Sequence, residues 1–296
     1  MSKKIHNQCK GILFNGRIIL SLCFLFTFNS KINAQSYFDV AGTSVTFLEP
    51  LFNRDNPSVN YNSIEAFVHL PLLNGEKRKL LLNPSFENIQ MNFVDSVNGI
   101  RKSNTLLTSL SYAQEIERFK FILGGISRLN GSFQKSSDLR NDLGGVAIIS
   151  RSFSEQFNAG LGYLFISDFY KNISYPVFSI DWTIKNNLYA YLVLPRFILL
   201  EYKINRSIYS GVRISFSSFS YKYQKNDFTY LSESRIRLFC DVRMHKDIWL
   251  TMDAGIIGFR EGFDEVLFSE KLFTPKDYSD ALMFKTAVVY RKRLKN

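Results

Sequence analysis

The sequence is short of the residues that build covalent staples, metal sites and rigid linkers. Its 296 residues include three cysteines, three histidines, seven prolines and two tryptophans. Cys9 and Cys23 lie near the N-terminus. Cys240 is therefore alone in the rest of the chain, and no disulfide can form within that part. Beyond residue 34 only His69 and His245 remain, so a site of histidine and cysteine ligands would have to borrow carboxylates. No metal and no cofactor is expected. Seven prolines and 16 glycines are too few for a collagenous or low-complexity chain. No stretch after residue 34 approaches the ~18 apolar residues of a transmembrane helix. No G-x-S-x-G elbow is present to carry a serine nucleophile. The pairs Gly124-Gly125 and Gly144-Gly145 lie inside alternating segments with no helix pattern after them, which excludes a phosphate loop.

Acidic charge is absent from the first 34 residues, which hold Lys3, Lys4, Lys10, Arg17 and Lys31. The formal charge of +11 therefore falls to a modest, dispersed excess over 35–296. No dense basic patch is left for nucleic acid. Residues 1–34 read as a secretory signal, with a basic start and an apolar run at 18–28. That run is too short to span a bilayer as a helix. Cleavage after Ala34 leaves 35–296 as one domain.

What is abundant is aromatic residues and alternation. The chain has 28 phenylalanines and 15 tyrosines. Over 234–259, Ile236, Leu238, Cys240, Val242 and Met244 share one parity, and Arg235, Arg237, Phe239, Asp241 and Arg243 the other. After His245-Lys246-Asp247 the plan repeats, with Ile248, Leu250, Met252, Ala254 and Ile256 against Trp249, Thr251, Asp253 and Gly255. A period of two predicts extended strands, and the three-residue turn predicts a hairpin. Similar runs predict strands near 37–48, 61–71, 78–92, 104–115, 118–129, 143–153, 156–167, 176–185, 187–194, 197–204, 207–222, 232–244, 247–259 and 280–291. Alternate connections are tight, as at Leu73-Asn74-Gly75-Glu76 and Lys185-Asn186-Asn187. The others are long: 49–60, 93–103, 130–142, 168–175, 223–231 and 260–279. Short turns at one end and long loops at the other are the pattern of an outer-membrane barrel, with the short side periplasmic. The fold expected is all-β, an antiparallel up-and-down transmembrane β-barrel of about 14 strands. The Pro195-Arg196 link is short where parity asks for a long loop. Either it makes a low corner in the wall, or it lies within one bent strand and the count is 12. A soluble β-sandwich shows the same alternation, but its open edges would need protection that a closed barrel does not.

The signal end at Asn33-Ala34-Gln35, the aromatic hairpins and the segment LYAYLVLPRFILLEYKINRSIYSGVRI resemble uncharacterised outer-membrane β-barrel proteins of Bacteroidota. The resemblance implies residence in the outer membrane and folding by the barrel-assembly machinery, with outer-membrane lipid around the wall. Many such proteins end on an aromatic residue. Here the last aromatic, Tyr290, is followed by six further residues.

Three places invite a functional reading. Arg213, Arg235, Arg237, Asp241, Arg243, Asp253 and Lys285 share the polar parity of neighbouring strands. They form either a basic constriction for anionic solutes or an internal network in which Arg235 and Arg237 pair with Asp241 and Asp253. His69 shares a face with Glu65 and is the candidate general base for a lipid-modifying enzyme. It and His245 fall at the periplasmic end, opposite the rim that outer-leaflet chemistry needs, where solvated or lumen-packed histidines are the simpler reading. Loop 260–279, with Asp264, Glu265 and Glu270 beside Phe263, Phe268 and Phe273, could plug the lumen or bind a partner. The function expected is a pore, channel or passive transporter for small solutes, or a structural barrel. The alternatives are a lipid-modifying enzyme and a binding or adhesin barrel.

Overall fold

A computed structural model describes residues 37–51, 59–93, 100–133, 139–168, 172–224, 227–264, 275–278 and 280–293. The expected signal segment lies outside the described residues. The strands are β1 (Tyr37–Pro50), β2 (Val59–Val68), β3 (Leu70–Asn74), β4 (Arg78–Phe93), β5 (Ile100–Ile116), β6 (Phe119–Gly131), β7 (Leu139–Ser154) and β8 (Phe157–Ser167). They continue as β9 (Asn172–Lys185), β10 (Leu188–Leu194), β11 (Phe197–Lys203), β12 (Ile208–Gln224), β13 (Asp227–His245), β14 (Ile248–Asp264), β15 (Pro275–Tyr278) and β16 (Ala281–Arg293). Neighbours in the ring are antiparallel, and β16 pairs with both β14 and β1, which closes it. β2 and β3 both pair with β4 and act as one wall strand broken at His69. β15 only extends the outer part of β14. The wall is a closed antiparallel barrel of 14 strands.

The Pro195-Arg196 link is a two-residue turn between separate seven-residue strands. It makes a low corner, and the count of 12 is set aside. Two expected long loops are shorter than the sequence implies. β12 and β13 run to Gln224 and from Asp227, so most of 223–231 is ladder. β14 continues through Asp264 and β15 returns beside it, so both ends of 260–279 are strand. The centre of that segment, 265–274, lies outside the described residues. The reason is physical: outside a bilayer a strand keeps its hydrogen bonds without any apolar face. The apolar alternation therefore stops before the ladder does.

One parity of each strand faces out and is apolar. Ile64, Phe86, Leu110, Leu123, Ile149, Leu161, Phe178, Leu238, Ile256 and Phe284 are all exposed, Leu123 by 59% and Leu238 by 58%. In water each such side chain would forgo about 1.5–3 kcal/mol of burial. A continuous belt of them around a closed wall is the surface of a barrel that faces lipid.

The inward parity differs around the ring. On β10–β14, β16 and β1 it is large and packed. Tyr189, Leu199 and Phe239 form one buried cluster, and Tyr209, Trp249, Ala287 and Val289 another. On β5–β9 it is mixed: the small residues Ser109, Ser111, Gly124, Ser150, Gly160, Gly162 and Ser179 are set among Ile122, Ile126, Val146, Ile148, Leu164 and Val177. A Cβ at Gly162 would stand 2.3 Å from the Ala147 carbonyl oxygen, and one at Gly160 2.7 Å from that of Ile149. Only glycine permits so close an approach of strands here.

At the end with the longer connections, the outer end by the barrel pattern, the lumen is bridged. A cluster of Leu48, Tyr61, Ile89, Met91, Tyr221, Leu231, Ile257, Ala281 and Met283 fills one side. The Lys222 N–H donates to Asn130 Oδ1 at 3.0 Å, and Ser103 Oγ donates to the Lys222 carbonyl at 3.0 Å. Ser103 and Asn130 belong to β5 and β6, across the ring from β12. The Ser220 N–H and hydroxyl both donate to Asp168, just beyond β8. The outer end of β12 therefore leans across the lumen mouth.

Candidate functional site: the charged lumen

The polar parity of β12, β13, β14, β16 and β1 brings six charges into one chain of alternating sign. Arg237 donates to Asp253 Oδ2 at 3.2 Å, and Arg213 donates to Asp253 Oδ1 at 2.8 Å. Arg213 also donates to Asp241 Oδ2 at 3.3 Å, and Arg291 donates to the same oxygen. Arg291 then reaches Asp39 Oδ1 at 2.5 Å and Oδ2 at 3.2 Å. The order is Arg237, Asp253, Arg213, Asp241, Arg291, Asp39.

Register explains the arrangement. Arg213 lies directly opposite Arg237 in the β12–β13 ladder, a pairing of like charges that destabilises a sheet when unrelieved. Asp253 relieves it by giving one carboxylate oxygen to each guanidinium. Two aromatic faces complete the setting. The Arg213 guanidinium stands 3.9 Å from the Phe239 ring centre, and that of Arg291 3.9 Å from the Tyr37 ring centre. Asp241 and Asp253 are buried and so is Arg291. Three cations and three anions leave this run of contacts with no net charge.

The remaining expected residues are placed apart from it. Arg235 pairs with Glu233 at 2.7 Å and with the Tyr61 hydroxyl at 2.5 Å, and not with Asp241 or Asp253. Lys285 pairs with Glu65 at 3.2 Å, and the Ser44 hydroxyl donates to the same carboxylate at 3.3 Å. Arg243 is corrected: it is exposed at the β13–β14 turn, where its guanidinium donates to the Lys246 carbonyl. It carries the inward parity, but its strand ends before the lumen wall can enclose it.

Sequence reasoning missed several members. Arg291 shares the parity of Lys285 six residues earlier, which was a usable signal. Glu233 shares the parity of Arg235 two residues on, which was a signal too, whereas Asp39 had none, because its partner Arg291 comes from the far end of the chain. A second charged group at the outer end was also missed. Arg128 lies 3.9 Å from Asp142 and 3.8 Å from Asp168, Arg140 pairs with Asp142 at 2.6 Å, and Arg128 stands over the Tyr221 ring.

His69 lies between the rings of Phe38 and Phe67, with centroid distances of 5.4 and 5.1 Å. Its Nδ1 is buried without a hydrogen-bond partner. The setting is aromatic, and it brings no serine or aspartate hydrogen bond to the ring. Among the described residues no three side chains of histidine, cysteine, aspartate or glutamate converge as a metal site. At the short-turn end, outside the belt, Lys292 donates to Asp247 at 2.5 Å. That bond holds the Asp247 carboxyl below the ordinary carboxylate range and raises the Lys292 ammonium.

A closed wall with an apolar outside and a charged, hydrogen-bonded inside defines a transmembrane β-barrel of the outer-membrane type. No protein family matches the sequence, and no curated protein matches it. Among solved structures, the chain is similar to the NanC porin at 12% identity, with a TM-score of 0.42 over 85% of this chain and 99% of that one. It is also similar to LpxR from Salmonella typhimurium at 9% identity, with a TM-score of 0.37 over 84% and 99%. Outer membrane phospholipase A from Escherichia coli gives 9% identity and a TM-score of 0.37 over 89% and 94%. Likeness at this level carries no argument about activity.

Proposed function

We propose that the protein is a narrow passive pathway for small polar solutes across the outer membrane. The observation that carries this reading is the split lumen. One wall is a brace of paired charges and packed aromatics, and the facing wall of β5–β9 intersperses serines and glycines with aliphatic side chains. The serines and glycines leave more room for hydrated solutes on that side than the packed brace leaves on the other. The β12 bridge to Ser103 and Asn130 sets the narrowest point, at the outer mouth. Ion-pair neutrality gives the pathway weak charge preference.

Planar-bilayer recording tests this. The protein is expected to give small single-channel steps, larger in the double variant Ser103→Ala/Asn130→Ala and smaller in Ser111→Trp. Silence from both the unaltered protein and the double variant would leave a structural barrel in place of a pathway. An N-terminal signal cleaved after Ala34, folding by the barrel-assembly machinery and membership in a Bacteroidota barrel family belong to the same reading. N-terminal sequencing of protein extracted from outer membranes checks the first of these.

A further inference from the structure

Among the described residues, neighbouring strands part at the Pro195-Arg196 corner. β10 pairs with β9 no further out than Phe178, and β11 pairs with β12 no further than Ser215. Both tall strands continue, β9 to Asn172 and β12 to Gln224. Above the Pro195-Arg196 turn no strand lies between them, and they do not pair with each other. β12 leans instead across the mouth, held by Asp168, Asn130 and Ser103. Behind it is a cleft of about 490 Å³ lined by Ile166, Ile173, Tyr175, Leu194, Arg196 and Phe216. That volume lies within the ~300–1,000 Å³ of ordinary ligand sites.

The lining says what fits. Ile166, Ile173 and Tyr175 share the inward parity of the buried Leu164 and Val177, whereas Phe216 is exposed on the outer surface. The cleft therefore passes through the wall from the lipid side. Hydrocarbon borders its opening, and most of its surface is aliphatic or aromatic. Its one charge is Arg196. The Arg196 carbonyl accepts from the Phe216 N–H at 2.9 Å, and Phe216 is the outermost exposed large apolar residue among the described side chains of β12. The Arg196 backbone thus sits level with Phe216, where the exposed apolar face of β12 ends among the described side chains, and its side chain lines the cleft at that outer edge. Its planar donors suit a phosphate, and a charge at that depth is favoured beside an anion.

We infer that this cleft admits one acyl chain of an outer-leaflet lipid sideways through the wall, with the lipid phosphate on Arg196. The inference rests on the membrane-barrel reading but not on conductance. The barrel, reconstituted in phosphatidylglycerol vesicles carrying a trace of phosphatidylglycerol with a photoreactive acyl chain, is irradiated, and adducts are mapped by mass spectrometry. Adducts are expected on inward Ile166, Ile173 or Tyr175 as well as on outward Leu161, Phe178 and Trp182. Ser218 also lines the cleft, and Ser218→Trp, which fills it, removes the inward adducts and leaves the outward ones, which also shows that the variant has inserted and folded. Arg196→Gln lowers the inward adducts about tenfold, the loss of one charge-assisted bond. Adducts confined to outward residues, or inward adducts indifferent to both substitutions, would overturn the inference. Absence of outward adducts as well would overturn the membrane reading beneath it.

Discussion

The two sides of the lumen use the same outer surface to different ends. On β12–β14, β16 and β1, Arg213, Arg237 and Arg291 thread between Asp39, Asp241 and Asp253, and Phe239 and Trp249 pack beside them. On β6–β8 the corresponding positions include the small Gly124, Ser150, Gly160 and Gly162, set among Val146, Ile148 and Leu164. Outward, both sides show the same apolar belt. Lipid requires one thing of every strand, hydrocarbon on the outside, and leaves the inside free. The chain uses that freedom to make one side a strut and the other a recess.

Breaking the strut should have the largest effect. Asp241→Asn leaves Arg213 and Arg291 sharing a neutral amide in a buried setting. A loss of about 3–5 kcal/mol is expected, seen as a lower urea midpoint and a lower temperature for the heat-induced gel shift. An unchanged midpoint would mean that water enters the strut and screens it. Untying the outer bridge comes next. Ser103→Ala/Asn130→Ala removes two hydrogen bonds, each worth about 0.5–1.5 kcal/mol, and should widen the conductance. The recess should tolerate what the strut does not. Ser111→Trp should shift stability by less than about 1 kcal/mol, within the range of substitutions that leave packing intact, while narrowing the pathway. A large destabilisation there would show the recess to be packed.

The smallest effect belongs to neither side. Asp247 and Lys292 pair at the surface, with side chains 32% and 52% exposed, so Asp247→Asn should lower the midpoint at pH 7 only slightly. Because Lys292 holds the folded carboxyl low, the contribution of the pair is complete above the ordinary carboxylate range, about pH 4. It is lost as pH falls through the lowered value. The variant should therefore lie slightly below the parent at pH 7 and converge with it in acid, which gives it a slightly flatter acid limb in a stability-versus-pH series.

Much of this was legible in the sequence, and the limits have physical causes. A period of two fixes which side chains share a face, so Arg213, Arg237, Asp241 and Asp253 could be placed in the lumen together. Which carboxylate meets which guanidinium depends on ladder register and strand tilt, and periodicity is silent on both. Arg235 was therefore expected beside Asp241 or Asp253 and is found beside Glu233, two residues away on its own strand. Arg243 has the right parity and the wrong height. The lean of β12 left one trace, the short Pro195-Arg196 link where a long loop was due. Its consequence could not be read there, because the bonds that hold β12 come from Ser103 and Asn130, more than ninety residues away in the chain.

Arg291 ties three parts of the ring at once, through Asp39 on β1 and Asp241 on β13. β1 and β16 form the seam at which the ring closes. In synthesis order, Asp39 emerges among the earliest wall residues, Asp241 far later, and their shared cation later still. Until β16 arrives, Asp39 waits for a counter-ion and Asp241 has only the Arg213 that it shares with Asp253, and a nascent sheet holding them has reason to stay in contact with water. The last step of closure therefore neutralises the interior as it seals the edge. Electrostatics here works as a completion signal: a wall assembled without its final strand is marked by the charge it cannot bury.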